Sequence, residues 1–210
     1  MGELDFTHRF VPSTQGPTQR VLLLLHGTGG NEDDLIPLGR NLDPNAALLG
    51  PRGKILENGM PRFFRRLAEG VFDEEDVIRR AHQLADFVGE AARFYNFDPK
   101  RLIAVGYSNG ANIAAAILLL RPEVLSFAIL LRAMVPLVPK PLPDLTDARI
   151  LISSGEYDPI VAAENVQQLA RMLEKTGANV TLHTEPAGHA LTRGDISVAK
   201  DWLENLDSSE

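Results

Sequence analysis

The 210-residue chain contains no cysteine. Disulfides, thiolate metal ligands and a cysteine nucleophile are therefore excluded, and the redox compartment is left undetermined. Basic residues are in deficit: 21 Lys and Arg face 28 Asp and Glu, for a net charge of −7 and a pI near 5.3. A nucleic-acid binder normally presents a basic face, so that class of partner is not expected. Long apolar runs are missing too. The longest, Val21 to Leu25 and Ile113 to Leu120, fall well short of the roughly 20 residues that cross a bilayer as a helix. The N-terminal Met-Gly-Glu-Leu-Asp-Phe-Thr-His has no basic segment followed by an apolar one, so no export signal is read and a soluble, cytoplasmic protein is expected. No histidine pair or carboxylate-histidine cluster has metal-ligand spacing, so neither a metal nor another cofactor is implied. There is no internal repeat and no low-complexity linker. What the chain does have is 44% hydrophobic content, enough for one substantial core and a single domain over residues 1–210.

Short apolar segments alternate with longer helical patterns, the signature of a mainly parallel sheet of about seven strands covered by helices on both faces. The strand candidates are Thr7 to Val11, Val21 to His26, Ala46 to Gly50, Leu102 to Gly106, Phe127 to Leu131, Ile150 to Ser154 and Val180 to Glu185. Between them lie helical segments at Glu32 to Asn41, Glu74 to Tyr95, Ala111 to Leu120, Ile160 to Thr176 and Ser197 to Leu206. Asp73 is placed to cap the second helix, while Pro122 and Gly177 follow helix ends. The proline-rich Pro136 to Pro143 joins two core strands and reads as a surface crossover.

The strand Leu102 to Gly106 leads directly into Gly106-Tyr-Ser108-Asn-Gly110 and then a helix-forming stretch. A serine between two glycines at this spacing fits a nucleophile elbow, a strained strand-to-helix turn that exposes the hydroxyl. The unpaired amides at the start of the following helix would favour a developing oxyanion. An ordinary glycine turn is the bland alternative, so a base must be found.

Of five histidines, His189 is the candidate. It follows Glu185-Pro-Ala-Gly after the last strand, on a loop leaving the carboxyl end of the sheet, where open parallel sheets build their sites. His183 lies within that strand and points to a sheet face; His8 and His82 have no catalytic context, and His26 belongs to a glycine turn it would support. The orienting acid should also follow a strand. Asp158 does, after Ile150 to Gly155, and it is also placed to cap the next helix; Glu156 is the rival acid. The order Ser108, Asp158, His189 is that of α/β-hydrolases. The strand Val21 to Leu25 runs into His26-Gly-Thr28-Gly-Gly30, whose Thr28 amide can join that of Asn109 as an oxyanion donor. A phosphate-binding loop would need a Lys-Ser/Thr pair that is absent.

One long connection, Pro51 to Val71, carries Arg62, Phe63, Phe64, Arg65 and Arg66. Loops of this length are commonly functional. The aromatics offer a wall for an apolar substrate part, and the arginines either attract an anionic one or form a solvated charged face.

With these residues placed, the chain resembles the α/β-hydrolase carboxylesterase/phospholipase family, which includes acyl-protein thioesterases and small bacterial carboxylesterases. The resemblance covers nearly the whole chain and rests on His26-Gly-Thr-Gly-Gly30, Gly106-Tyr-Ser-Asn-Gly110, Gly155-Glu-Tyr-Asp-Pro159 and Gly188-His189. Within the family it is similar to the bacterial branch linked with hydroquinone and quinone resistance, through Pro51-Arg-Gly53, Glu57-Asn-Gly-Met-Pro-Arg-Phe-Phe64, Leu131-Arg-Ala-Met134 and His189-Ala-Leu-Thr192. The resemblance implies a three-layer α/β-hydrolase fold and a serine carboxylic-ester hydrolase, with Ser108, Asp158 and His189 as triad and Thr28 and Asn109 as amide donors. Thioesterases of the family usually carry Gln-Gly-Gly after the nucleophile; Asn109-Gly-Ala111 here weighs against acyl-protein thioesterase activity. About 18 residues separate Leu131 from Ile150, too few for a cap domain, so an open site is expected. Substrate choice then falls to residues 51 to 72 and Arg132 to Val138, with Phe63, Phe64, Arg132 and Met134 as candidate contacts. Arg132 serves equally as a substrate anion site or as half of a structural ion pair. The expected partner is a small-molecule ester. Lysophospholipid or thioester hydrolysis and a catalytically silent ligand-binding protein are the alternatives, and the oligomeric state stays open, a homodimer included.

Overall fold

A computed structural model describes residues 4–15, 20–68 and 70–207. Its strands are β1 (His8–Val11), β2 (Val21–Leu25), β3 (Ala47–Pro51), β4 (Ile55–Glu57), β5 (Met60–Arg62), β6 (Arg66–Ala68), β7 (Val71–Phe72), β8 (Leu102–Tyr107), β9 (Phe127–Leu131), β10 (Arg149–Gly155) and β11 (Asn179–Glu185). The helices are α1 (Ile36–Leu42), α2 (Glu74–Tyr95), α3 (Asn109–Leu120), α4 (Ala163–Lys175) and α5 (Arg193–Asp207). Seven strands form one sheet in the order β1-β3-β2-β8-β9-β10-β11. Only β1 runs antiparallel, against β3; the other neighbours are parallel.

Side-chain alternation along these strands explains the layers. Leu22, Leu24, Ile103, Val105, Ile129 and Leu151 face α1 and α5, through Leu42, Ala199 and Leu203. Val21, Leu23, Leu25, Ala104, Leu130 and Ile152 face the opposite way, onto α2, α3 and α4. Buried on both faces, such strands must be nearly all apolar, and each fully buried leucine or isoleucine contributes about 1.5–3 kcal/mol. Helix α3 lies deepest: every residue from Asn109 to Leu119 is buried. Among the described residues no helix is long and apolar enough to cross a membrane, and the segment between β9 and β10 forms no cap.

From β2 the chain moves to β3 on one side of the sheet, and later strands extend from β8 on the other. That reversal opens a crevice at the carboxyl ends of β2 and β8, where Leu25 pairs with Gly106. Two glycines permit the close approach there. A Cβ on Gly110 would stand 1.9 Å from the Leu25 carbonyl oxygen, and one on Gly106 2.6 Å from the Ala111 nitrogen.

Four helix starts differ from the expected positions: α3 begins two residues early, at Asn109, and at the other three a side chain captures backbone amides. Asn31 Oδ1 accepts from the Asp33 amide, so residues 31–35 turn and α1 begins only at Ile36. Asp158 Oδ1 accepts from Ile160 and Val161, which delays α4 to Ala163. Thr192 and Asp195 exchange bonds, the Asp195 amide donating to Thr192 Oγ1 and the Thr192 amide to Asp195 Oδ2, so α5 starts earlier, at Arg193. The expected loop from Pro51 to Val71 instead holds two hairpins, β4–β5 and β6–β7. Asn58 and Gly59, with φ of 52° and 78°, make the left-handed two-residue turn that joins β4 to β5, a hairpin signal present in the sequence.

Candidate active site

At the end of β8 the chain turns sharply, and Ser108 adopts φ 53° and ψ −115°, a conformation costly for a residue with a Cβ. Neighbouring bonds hold it there. The Ser108 amide donates to the Leu131 carbonyl at 2.8 Å, and its own carbonyl accepts the Asn112 amide at 3.0 Å. The hydroxyl projects from the sheet edge to His189, with Oγ 3.0 Å from Nε2. On the far side of the ring Nδ1 lies 2.7 Å from Asp158 Oδ2. An ionised carboxylate only accepts, so Nδ1 carries the proton and Nε2 is free to accept from the serine hydroxyl. The Asp158 side chain is buried, 1% exposed, and its other oxygen takes the Ile160 and Val161 amides. One oxygen of Asp158 thus fixes the turn ahead of α4, a helix that has no side-chain cap, and the other bonds His189. Glu156 faces solvent.

The loop carrying His189 is fixed by Arg132, which follows β9 with φ 59°. Its Nε donates to the Gly188 carbonyl at 3.0 Å and its Nη2 to the Ala190 carbonyl at 3.1 Å, on either side of the histidine. The same guanidinium pairs with Asp195 at 2.7 and 2.9 Å. Burial alone would raise the Asp195 carboxyl, but hydrogen bonds from Arg132, Ser153 and the Thr192 amide hold it below the usual carboxylate range. Tyr107 adds a bond from its hydroxyl to the His189 carbonyl at 3.2 Å. Arg132 is 1% exposed. Of its two expected roles it takes the ion pair, and it does not line the cavity beside Ser108.

Ser108 and His189 open into a cavity of about 280 Å³ lined also by Thr28, Asn109, Phe72, Met134, Ile160 and two arginines, Arg62 and Arg66. Among the described residues neither the Thr28 nor the Asn109 amide donates to a backbone carbonyl, leaving both available at the cavity wall. Asn109 Oδ1 accepts from the Phe63 amide at 2.7 Å, while its Nδ2 is buried without a partner among the described residues. Met134 reaches the cavity; Phe63 and Phe64 do not. At 3% and 0% exposed, they turn inward, Phe63 against His26 and Phe64 against Phe72. They are core residues that anchor the hairpins, because burying two phenyl rings outweighs presenting them to solvent. Among the described residues no group of three or more His, Asp or Glu is disposed to hold a metal ion.

His26 ties the hairpins to the glycine turn. Its Nδ1 donates to the Gly27 carbonyl at 2.7 Å and its Nε2 accepts from the Gly53 amide at 2.9 Å, a pattern only the neutral ring satisfies. Burial lowers its pKa, and this outweighs the opposing effects of the Gly27 carbonyl and nearby acids. Because the unfolded chain takes up this proton first, the stabilisation is complete above about pH 6.5 and is lost as pH falls below it. His26→Phe, which keeps the ring but orphans the Gly53 amide, is expected to cost about 1–3 kcal/mol near neutral pH. In thermal melts the gap between wild type and variant should shrink from pH 7 to 5; an unchanged gap contradicts this account.

A family model described as phospholipase/carboxylesterase matches residues 6–206. The chain is 50% identical over 190 residues to a Bacillus subtilis (strain 168) protein named Putative hydrolase MhqD, covering 90% of this chain and 95% of that one. It superposes on the crystal structure of the Bacillus cereus carboxylesterase with a TM-score of 0.93 and 47% identity, covering 96% and 94% of the two chains. The structure of YahD with malic acid matches with a TM-score of 0.88 and 30% identity, over 95% and 98%. The chain is therefore a hydrolase of the phospholipase/carboxylesterase family, with an α/β-hydrolase fold and no separate cap domain.

Proposed function

We propose that the protein hydrolyses small carboxylic esters through an acyl-enzyme on Ser108. The observation that carries this reading is the unbroken line from Ser108 Oγ through His189 to Asp158 Oδ2, at 3.0 and 2.7 Å. His189 accepts the serine proton as Oγ attacks the ester carbonyl, and the Asp158 carboxylate stabilises the imidazolium. The oxyanion that forms is met by the amides of Thr28 and Asn109. His189 then protonates the leaving alcohol, and water, deprotonated by the same ring, releases the acid from Ser108.

Two observations favour small substrates over long-chain lipids or acylated proteins. The cavity, about 280 Å³, is at the small end for ligand sites, and YahD, a relative, has been solved with malic acid. A panel of p-nitrophenyl esters of rising acyl length tests the reading: kcat/KM should be highest for acyl groups of about two to four carbons and fall at least tenfold by about eight. Rates that climb through eight to twelve carbons point instead to lysophospholipid or long-chain thioester cleavage.

A further inference from the structure

Arg62 and Arg66 line the cavity beside Thr28, Ser108 and His189, and among the described residues no carboxylate lines it. In a chain with a net charge of −7 this is a local reversal of sign. The two arginines share one acid. Glu57 Oε1 lies 2.6 Å from Arg66 Nε, and its Oε2 lies 3.4 Å from Arg62 Nε. Two guanidinium groups against one carboxylate leave a cationic excess at the cavity wall.

Arg62 is only 3% exposed. Its Nη1 donates to Thr28 Oγ1 at 2.7 Å and its Nε to the Phe64 carbonyl at 3.3 Å. Burial lowers its pKa, Glu57 opposes this, and the like charge of Arg66 adds to it. A desolvated cation in this position is stabilised by any anion that reaches it, and a planar guanidinium suits a carboxylate best. The bond to Thr28 places the cation next to a residue whose amide serves the reacting carbonyl. Arg65, the third arginine of the run, takes no part: its side chain is 58% exposed and pairs with Asp73 and Asp76.

We propose that Arg62 and Arg66 form an anion subsite, and that the ester cleaved at Ser108 carries a second, ionised carboxylate. This rests on the reading of Ser108 as nucleophile and names its substrate class, small hemiesters of dicarboxylic acids or esters of hydroxy acids. Binding to Ser108→Ala protein, followed by NMR titration, separates the subsite from the chemistry. Monomethyl succinate, charged on the acyl side, is compared with methyl 4-methylpentanoate, where an isopropyl group replaces the carboxylate. Acetoxyacetate, charged on the alcohol side, is compared with isobutyl acetate. At least one charged ester should bind about tenfold more tightly than its neutral partner, and which one does so identifies the side that faces the arginines. Adding Arg66→Gln should close most of the gap, whereas adding Arg65→Gln should leave it intact. Equal binding within both pairs, a gap that survives Arg66→Gln, or a gap lost equally with Arg65→Gln overturns the proposal. Failure of a fluorophosphonate to label wild-type Ser108 would count against the nucleophile alone, since the binding comparison does not depend on turnover.

Discussion

Replacing Ser108 by alanine should lower kcat/KM for small esters by about 10,000-fold or more, while the melting temperature stays within about 2 °C of wild type. The large kinetic effect follows from the site's construction: without Oγ there is no covalent route, and only binding and the oxyanion amides remain to assist water. The small effect on stability has an equally local cause. Among the described residues Oγ bonds only His189, whereas the amide and carbonyl bonds that hold the strained turn belong to the backbone and survive substitution. His189→Ala should cost nearly as much, and the double variant little more, because the two groups act as a unit. Additive losses, or a residual rate within about tenfold of wild type, would mean that the ester is cleaved elsewhere.

The largest effect on stability is expected at Arg132. Arg132→Ala leaves Asp195 buried without its cation, with side-chain exposure of only 1% in the native pair, and removes the guanidinium donors to the Gly188 and Ala190 carbonyls, while the Ser153 carbonyl keeps the backbone amide of residue 132. Breaking a buried pair from one side costs about 3–5 kcal/mol. For a chain of this size that is a fall in Tm of roughly 6–20 °C. Activity should fall as well, by about a hundredfold in kcat, because the loop that holds His189 loses both flanking bonds. Arg132→Lys separates the two effects. A lysine keeps charge against Asp195 but cannot span both carbonyls, so stability should recover in part while kcat stays low. Thermal melts and steady-state kinetics on the two variants check this. If kcat recovers in step with Tm, Arg132 is only a structural residue. Because Asp195 is held below the usual carboxylate range, the stability it contributes is present above about pH 3.9 and lost as pH falls below that.

Features whose cause is local in the chain were legible from sequence. The five buried residues of β2, the glycines around Ser108 and the placement of Asp158 and His189 after strands follow from backbone sterics and alternation, which need no distant partner. The Asn58-Gly59 hairpin was equally local, but the length of the connection around it masked the signal. Direction of burial was harder to read: Phe63 and Phe64 look like pocket walls in a loop rich in arginine, and only the packing of His26 and Phe72 against them decides that they face inward. Partners far apart in sequence could not be read at all. Arg132 and Asp195 are 63 residues apart, and the link between His26 and Gly53 spans 27; neither spacing carries a periodic or motif signal. Arg62, one of three arginines in Arg62-Phe-Phe-Arg-Arg66 with nothing in the sequence to tell them apart, separates from Arg65 only once the strand β5 turns it toward Thr28.

The whole mechanism turns on Ser108 being the nucleophile that His189 activates. Mass spectrometry of the protein after brief treatment with a fluorophosphonate isolates that step. One adduct per chain is expected, located on the peptide that contains Ser108, absent from Ser108→Ala and formed much more slowly by His189→Ala. An unlabelled wild type, or equal labelling of Ser108→Ala, would contradict it.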